Sequence, residues 1–254
     1  MDQAKMDRLT RLLKRLNAGE HPAGLRREVQ EFLAGVDPTD LSLAEQKLIE
    51  AGLAPEDLRH LCSVHMEMME GQLDQMKSTL KPGHVIDTLV CEHEMILGFL
   101  NELEKTNHRI QKMNRYEGGK PEFATLRHVA EHLVGAEKHH QREEDVLFPE
   151  IERRGVFGPT HLMKREHEEL RARKHELVEL AKNVETMDFG SFKKRLDATA
   201  KAIVFTLRDH IFKENNILYP TALEVIPEEA MWEQMKTQCD KIGYCCFTPV
   251  REDK

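Results

Sequence analysis

The sequence has few aromatic residues and no long uncharged apolar run. Aromatic side chains make up 6% of the 254 residues, with a single Trp. No apolar stretch approaches the roughly 18 residues that a membrane-spanning helix needs. The first ten residues, MDQAKMDRLT, have neither the basic start nor the apolar core of a signal peptide. These absences predict a cytoplasmic protein that has no membrane partner.

Positive charge and cysteine are also scarce. The formal net charge of −8 argues against nucleic acid as the main partner. Five cysteines are an odd number in a chain of this length, which predicts no disulfide framework and agrees with a reducing cytosol. The chain is instead rich in charged residues (32%) and contains 14 histidines. Its abundance of Leu, Ala, Glu, Lys and Arg is typical of a mostly helical protein.

Helix-breaking stretches that contain proline and glycine divide the chain into three regions. Before KPGH (81–84) the helical patterns are short and predict a small helical domain over residues 1–80. Long helical patterns joined by short loops then predict an up-down-up-down four-helix bundle over residues 81–224, in an all-α protein. A C-terminal helix and a cysteine-containing tail fill residues 225–254. The four long segments are expected at about 84–114, 121–152, 160–184 and 190–217.

The bundle region contains an internal repeat. The stretch HHQREEDVLFP (139–149) aligns with HIFKENNILYP (210–220), with identical His, Glu, Leu and Pro at the first position and at +4, +8 and +10. Arg or Lys follows the first His by three residues in both. The preceding helices also match, since Glu-His-Glu occurs at 92–94 and again at 166–168. The bundle is therefore predicted to consist of two helical hairpins, each with one His on its first helix and His-x3-Glu on its second.

The spacing of these residues predicts a metal centre. Residues four apart project from one face of a helix, and His139 and Glu143 share their face with apolar residues. Carboxylates without partners in an apolar core cost several kcal/mol, and no Lys or Arg shares the stripe near all of them. Imidazole and carboxylate suit iron, manganese or zinc, and two carboxylates that can bridge predict two ions. The candidate ligands are His93, His139, Glu143, His167, His210 and Glu214.

This pattern resembles the hemerythrin-like (HHE cation-binding) family over about residues 84–224. The resemblance implies a four-helix bundle with a non-haem di-iron centre. It also implies that the six candidate ligands hold two iron ions, bridged by carboxylates and by an oxo or hydroxo group, with zinc or manganese as alternatives. The chain departs from the oxygen-carrying hemerythrins at two places. Met163 stands where their third helix has the first His of His-x3-His, and Glu214 at +4 replaces their Asp at +5. These departures argue against reversible oxygen carriage.

Three further stretches resemble an uncharacterised bacterial helical domain that is often fused to hemerythrin-like domains. They are GLAPEDLRHLCSVHMEMM (52–69), KPGHVIDTL (81–89) and IGYCCFTP (242–249). Because the activity of that domain is not established, the resemblance implies architecture alone. A protein partner or a dimer contact through the N-terminal domain stays open.

Two functions from different classes follow. In the first, a binding module senses oxygen, nitric oxide, peroxide or iron at the buried centre, and the small ligand is its partner. In the second, a redox enzyme detoxifies peroxide or nitric oxide, with Cys245 and Cys246 supplying electrons. A complete ligand set without a substrate-pocket motif favours the first, which is not an enzyme. A structural zinc bundle is a third, lesser alternative.

Several residues near the predicted ligands have ambiguous roles. His84 is either a contact at the helix start or an extra ligand. His132, one heptad before His139, is either hydrogen-bonded to a ligand or merely buried. Solvent exposure is expected for His140, Glu144 and Glu166.

Overall fold

The computed structural model describes residues 77–249 together with Arg8, Arg11 and Arg15. Within this part of the chain all regular elements are helices, and no strand occurs. The all-α prediction is therefore confirmed. Nearly all of the small helical domain predicted for residues 1–80 lies outside the described residues.

The helices follow the predicted segments closely. Two of the long segments are interrupted by a short π-helix, here called π1 and π2, and a 3₁₀ turn (Val184–Thr186) follows the third. In chain order the elements are α1 (Val85–Gln111), α2 (Pro121–Gly135), α3 (Glu137–Arg142), π1 (Glu143–Leu147), α4 (Phe148–Arg153), α5 (Gly158–Asn183), α6 (Phe189–Lys213), π2 (Glu214–Leu218), α7 (Tyr219–Val225) and α8 (Glu229–Ile242).

The start of α1 is fixed by its own sequence. Gly83 takes a positive φ of 79° and places His84 at the N-cap. The His84 Nδ1 accepts a hydrogen bond from the backbone N–H of Ile86 at 3.2 Å, and Asp87 accepts one from the N–H of Gly83 at 3.0 Å. These bonds satisfy backbone donors that the first turn of a helix leaves open. His84 therefore caps α1, which is the contact at the helix start that the sequence predicted as one of its two roles.

The described chain divides into two compact units, which are considered separately. The larger, the bundle unit, comprises residues 81–146, 164–211 and 233–249 and contains most of α1, α2, α3, α5 and α6. One continuous apolar cluster drawn from these helices forms its core, and its leucines are almost fully excluded from solvent. They include Leu100, Leu103, Leu126, Leu133, Leu170, Leu177, Leu196 and Leu207.

Polar contacts at one end of the bundle unit show that α1 and α6 run antiparallel. Near the end of α1, the Asn107 amide donates to Asp197 at 2.9 Å, and the Gln111 amide donates to the Lys193 carbonyl at 3.0 Å. Both acceptors lie in the first half of α6. The bundle unit is thus a helical bundle of the predicted kind.

The second unit includes residues 147–163 and 212–232. It contains α4, π2 and α7. Arg154 donates to Glu150 at 2.9 Å and to Glu228 at 3.0 Å. The indole N–H of Trp232 donates to the Ile226 carbonyl at 2.8 Å. The bonds of Arg154 connect the end of α4 to the residues before α8, and the bond of Trp232 fixes the start of α8 against the end of α7.

Candidate metal centre

Each glutamate of the two His-x3-Glu motifs is the first residue of a π-helix. Glu143 begins π1 and Glu214 begins π2. Short π-helices are rare and occur frequently at functional sites. The prolines of the repeat explain them, because Pro149 and Pro220 lack an N–H and cannot bond the carbonyl four residues earlier, which lies inside the π-helix. The two copies of the repeat therefore share an irregular backbone as well as side chains.

The first pair of predicted ligands lies between α1 and α3. The Nε2 atoms of His93 and His139 are 3.0 Å apart, and both residues are buried. The other ring nitrogen of His139, Nδ1, lies 2.7 Å from the carboxylate of Glu92. The Glu-His dipeptide at 92–93 thus supplies one predicted ligand, His93, and the carboxylate that orients another, His139, on the neighbouring helix.

The second pair repeats this arrangement between α5 and α6. The Nε2 atoms of His167 and His210 are 2.9 Å apart. The Nδ1 of His210 lies 2.9 Å from Glu166, which is the equivalent of Glu92. The Nδ1 of His167 lies 2.7 Å from Glu144.

Glu143 connects the two pairs. Its Oε2 lies 3.5 Å from the Nε2 of His139 and 3.5 Å from the Nε2 of His167, and the side chain is fully buried. Five of the six predicted ligands therefore converge in the bundle unit. The sixth, Glu214, belongs to the second unit, where it is also fully buried and follows His210 by one helical turn.

The hydrogen bonds of the imidazole rings direct lone pairs into the site. An ionised carboxylate only accepts hydrogen bonds, so the Nδ1 atoms of His139, His167 and His210 carry the hydrogen. A neutral imidazole with a hydrogen on Nδ1 presents a lone pair at Nε2. In each pair two Nε2 atoms face one another at about van der Waals contact or closer, which requires a cation or a shared proton between them.

The distances within the pairs fit a bound metal ion. Two imidazole nitrogens that each lie about 2.1 Å from one ion, at right angles, are separated by about 3.0 Å. The observed separations of 3.0 and 2.9 Å agree with this value. The carboxylate oxygen of Glu143, midway between the pairs, is a hard donor of the kind that bridges two ions. The residues present therefore fit a pair of divalent transition-metal ions.

Comparison with known families gives the same assignment. Residues 84–222, more than half of the chain, match the hemerythrin HHE cation binding domain. The chain belongs to the hemerythrin HHE cation-binding family. Residues 9–75 match a family of unknown function, DUF438. Both resemblances inferred from the sequence are thereby confirmed.

Two curated relatives of this hemerythrin domain are iron-sulfur cluster repair proteins named YtfE. The protein from Yersinia pseudotuberculosis serotype O:1b (strain IP 31758) is 31% identical over 123 residues, which cover 44% of this chain and 54% of the relative. The protein from Yersinia pestis (strain Pestoides F) has the same identity and coverage. The chain spans about half the length of the curated relatives it matches. No helix within residues 77–249 is both long and apolar enough to cross a bilayer.

A buried ion pair supports the first histidine pair of the hemerythrin domain. Arg142 donates to both carboxylate oxygens of Glu92, at 2.6 and 2.5 Å, and Thr248 donates to one of them. Burial tends to raise the pKa of Glu92, but the hydrogen bond from His139 and the charge of Arg142 outweigh it and lower the pKa to about 2. Glu92 is therefore ionised and accepts the Nδ1 hydrogen of His139.

Glu144 plays the same part beside His167. It is half-buried, and Arg171 donates to its Oε1 at 2.8 Å. Burial again opposes ionisation, yet the hydrogen bonds from His167 and Arg171 lower the pKa of Glu144 below its ordinary value. Sequence reasoning missed Arg142 and Arg171. A positive charge occurs at +3 in both copies of the repeat, as Arg142 and as Lys213. This repetition was the signal in the sequence that could have indicated Arg142.

The prediction that His140, Glu144 and Glu166 face solvent was wrong. His140 and Glu166 are buried and Glu144 is half-buried, because a helix inside a bundle contacts neighbours on two sides of its ligand face. The ring of His140 stacks on His167, with centroids 3.9 Å apart and planes 11° from parallel. Two rings in parallel planes cannot both direct an in-plane lone pair at one ion. His140 therefore supports the ring of His167 in this arrangement.

His140 also has a cationic neighbour. The Nζ of Lys174, which is buried, lies 3.5 Å from the Nε2 of His140. Burial, followed by the positive charge of Lys174, lowers the pKa of His140 well below its ordinary value. The ring is therefore neutral. Lys174 and Arg142 are thus buried cations beside the candidate ligands, which the apolar stripe did not indicate.

The remaining ambiguous residues lie outside the ligand set. His132 is half-buried, with its Nδ1 2.8 Å from the His128 carbonyl, and its ring packs against Phe99. Cys245 is buried, and burial together with the charge of Glu92 raises the pKa of its thiol to about 12. A thiol that stays protonated at neutral pH is a poor nucleophile. Cys246 is exposed.

Proposed function

We propose that the hemerythrin domain holds two iron ions and uses them to sense or react with oxygen, nitric oxide or peroxide. His93 and His139 would hold one ion and His167 and His210 the other. Glu143 and, by its equivalent place in the repeat, Glu214 would supply the carboxylates. The observation that supports this most strongly is that two buried Nε2 atoms face each other across about 3 Å in each of the two histidine pairs.

The donor chemistry and the relatives favour iron. The site offers imidazole nitrogen and carboxylate oxygen but no thiolate, a set that suits iron, manganese and zinc. The relatives are named for the repair of iron-sulfur clusters. Iron handling in those proteins supports iron over zinc in this one.

Burial of the site favours a small ligand. Each of the six residues is at most 1% exposed. Iron, when bound, supplies open coordination positions and one-electron exchange. The protein supplies fixed ring orientations through Glu92, Glu144 and Glu166, and it excludes bulk water. A diatomic molecule or peroxide fits such a site, whereas a larger organic substrate does not.

A redox enzyme is the second candidate. The relatives are described as repair proteins, which favours a chemical reaction over passive sensing. Repeated turnover of peroxide or nitric oxide with an added electron donor would distinguish an enzyme from a sensor. A sensor shows a single stoichiometric response per loaded protein.

The proposal is tested by spectroscopy of the iron-loaded full chain. Protein loaded anaerobically with Fe²⁺ is exposed separately to oxygen, nitric oxide and hydrogen peroxide, and its absorbance is recorded. The wild type is expected to respond to at least one of them, and His167→Ala is expected to lose the response. His161→Ala is the matched control, because His161 is an exposed histidine on the same helix. No response of the wild type to any of the three would refute the proposal.

A further inference from the structure

The chain turns back on the bundle after α8. Gly243, directly after the helix, takes a positive φ of 87°, which glycine adopts without strain. Its N–H bonds to the Cys239 carbonyl at 2.9 Å. Residues 243–249 then run along α1 and α3 in the bundle unit. This segment is called the C-terminal clamp below.

Three side chains of the C-terminal clamp contact the bundle beside the first histidine pair. The hydroxyl of Thr248 donates to Oε1 of Glu92. The guanidinium carbon of Arg142 lies over the Tyr244 ring, 4.8 Å from the ring centroid. The Phe247 ring packs edge-on against Phe99 at 5.2 Å.

These contacts lie one step from a predicted ligand. Glu92 is fully buried, and its carboxylate accepts hydrogen bonds from the Nδ1 of His139, from Arg142 and from Thr248. The orientation of a metal-binding imidazole depends on the partner of its second nitrogen, and such partners tune affinity. Two of the three donors to Glu92 are therefore either part of the clamp or packed against it.

The carboxylates behind the second histidine pair are separate from these contacts. Glu166, the equivalent of Glu92, orients His210. Glu144 orients His167 and is held by Arg171 of α5. The hydrogen bond and ring contacts of the clamp described above are to Glu92, Arg142 and Phe99, which all belong to the first hairpin of the repeat. The clamp therefore acts on the carboxylate behind His139.

We propose that the C-terminal clamp positions His139 and so sets the affinity of the first metal position apart from that of the second. Thr248 is the positioning residue: it holds Glu92, and Glu92 holds the His139 ring. This inference rests on the proposed function, because it assumes that both positions bind iron.

Release of iron to a chelator tests the clamp. Thr248→Val removes the hydroxyl with little change in shape. Loss of the direct partner of a metal ligand typically weakens metal binding about 10- to 100-fold. Thr248 acts one hydrogen bond further out, on Glu92, so a smaller effect is expected. In the full chain loaded with Fe²⁺, one of the two ions is expected to leave severalfold faster to a chromogenic Fe²⁺ chelator, while the other leaves at the wild-type rate.

Two control variants separate positioning from general structure. Thr248→Ser keeps the hydroxyl and is expected to restore the wild-type release. Thr237→Val removes an exposed threonine hydroxyl on α8 that bonds the Glu233 carbonyl, and it is expected to change neither rate. The melting temperature of the metal-free protein is expected to be similar for Thr248→Val and Thr237→Val.

Nitrogen NMR of the histidine rings in the metal-free protein provides a second readout. Thr248→Val is expected to shift the ring nitrogens of His139 and to leave those of His210 unchanged. The inference is overturned if the variant releases both ions as the wild type does, if it releases both equally faster, or if the His139 signals do not move. If the wild type binds no iron, the proposed function fails, and the NMR result still decides whether Thr248 positions His139.

Discussion

At the scale of single residues, the site depends on which nitrogen of each imidazole faces inward. Carboxylates behind His139, His167 and His210 hold the hydrogen on Nδ1 and leave Nε2 for the centre. Without those carboxylates the rings would be free to present either nitrogen. The orienting acids therefore determine whether the histidines can act as ligands at all.

Glu143 provides the sharpest test at this scale. Because its Oε2 is equally distant from a histidine of each pair, Glu143→Gln is expected to weaken both metal positions, by at least about tenfold. Titration of the metal-free protein with Fe²⁺ measures the two affinities. Asp145→Asn is the matched control, since Asp145 is an exposed acid in the same π-helix, and it is expected to leave both unchanged. Loss of one position alone would contradict a shared role for Glu143.

At the scale of helices, most of the bundle was predictable and the irregular segments were not. Apolar periodicity and helix-breaking residues located the long helices, and the repeat located the helix faces that carry the candidate ligands. The π-helices were not predicted. Apolar periodicity reports the average number of residues per helical turn, so it does not reveal a single turn that is widened before a proline. The burial of His140 and Glu166 was missed for a related reason. A stripe of apolar residues marks only one packed face of a helix, and these two residues lie on a face that packs against a second neighbouring helix.

The packing of α6 gives a prediction at this scale. Phe192 is fully buried in the core, whereas Phe205 on the same helix is 70% exposed. Phe192→Ala is expected to lower the free energy of unfolding by about 3–5 kcal/mol. Phe205→Ala is expected to change it by less than about 0.5 kcal/mol. Chemical denaturation of the metal-free protein measures both, and equal effects would show that the assigned core face of α6 is wrong.

At the scale of the whole molecule, the sequence predicted a hemerythrin-like bundle, and family membership confirms it. The convergence of five candidate ligands in the bundle unit was predictable because the repeat supplies each residue type twice. The support from the C-terminal clamp was not, since nothing in the spacing of Thr248 and Glu92, which are 156 residues apart, indicates contact. Long-range partners of this kind come from the fold.

Metal binding is expected to stabilise the whole bundle. Each ion that binds the folded chain alone stabilises it by about 2.7 kcal/mol when free metal is 100 times the dissociation constant of its site. Removal of metal with a chelator is therefore expected to lower the melting temperature by roughly 5–10 °C for each ion lost from a domain of this size. Calorimetry of loaded and stripped protein measures the shift. A melting temperature that does not depend on metal would contradict a site built into the core.

The iron content of the chain decides whether two pairs of buried histidines hold two iron ions, as we propose. It is measured by elemental analysis of the protein purified from iron-replete cells, expressed as ions per chain. About two irons per chain are expected, with the content falling to at most one in His93→Ala and in His210→Ala. Protein that contains less than one iron per chain, or zinc in its place, would contradict it.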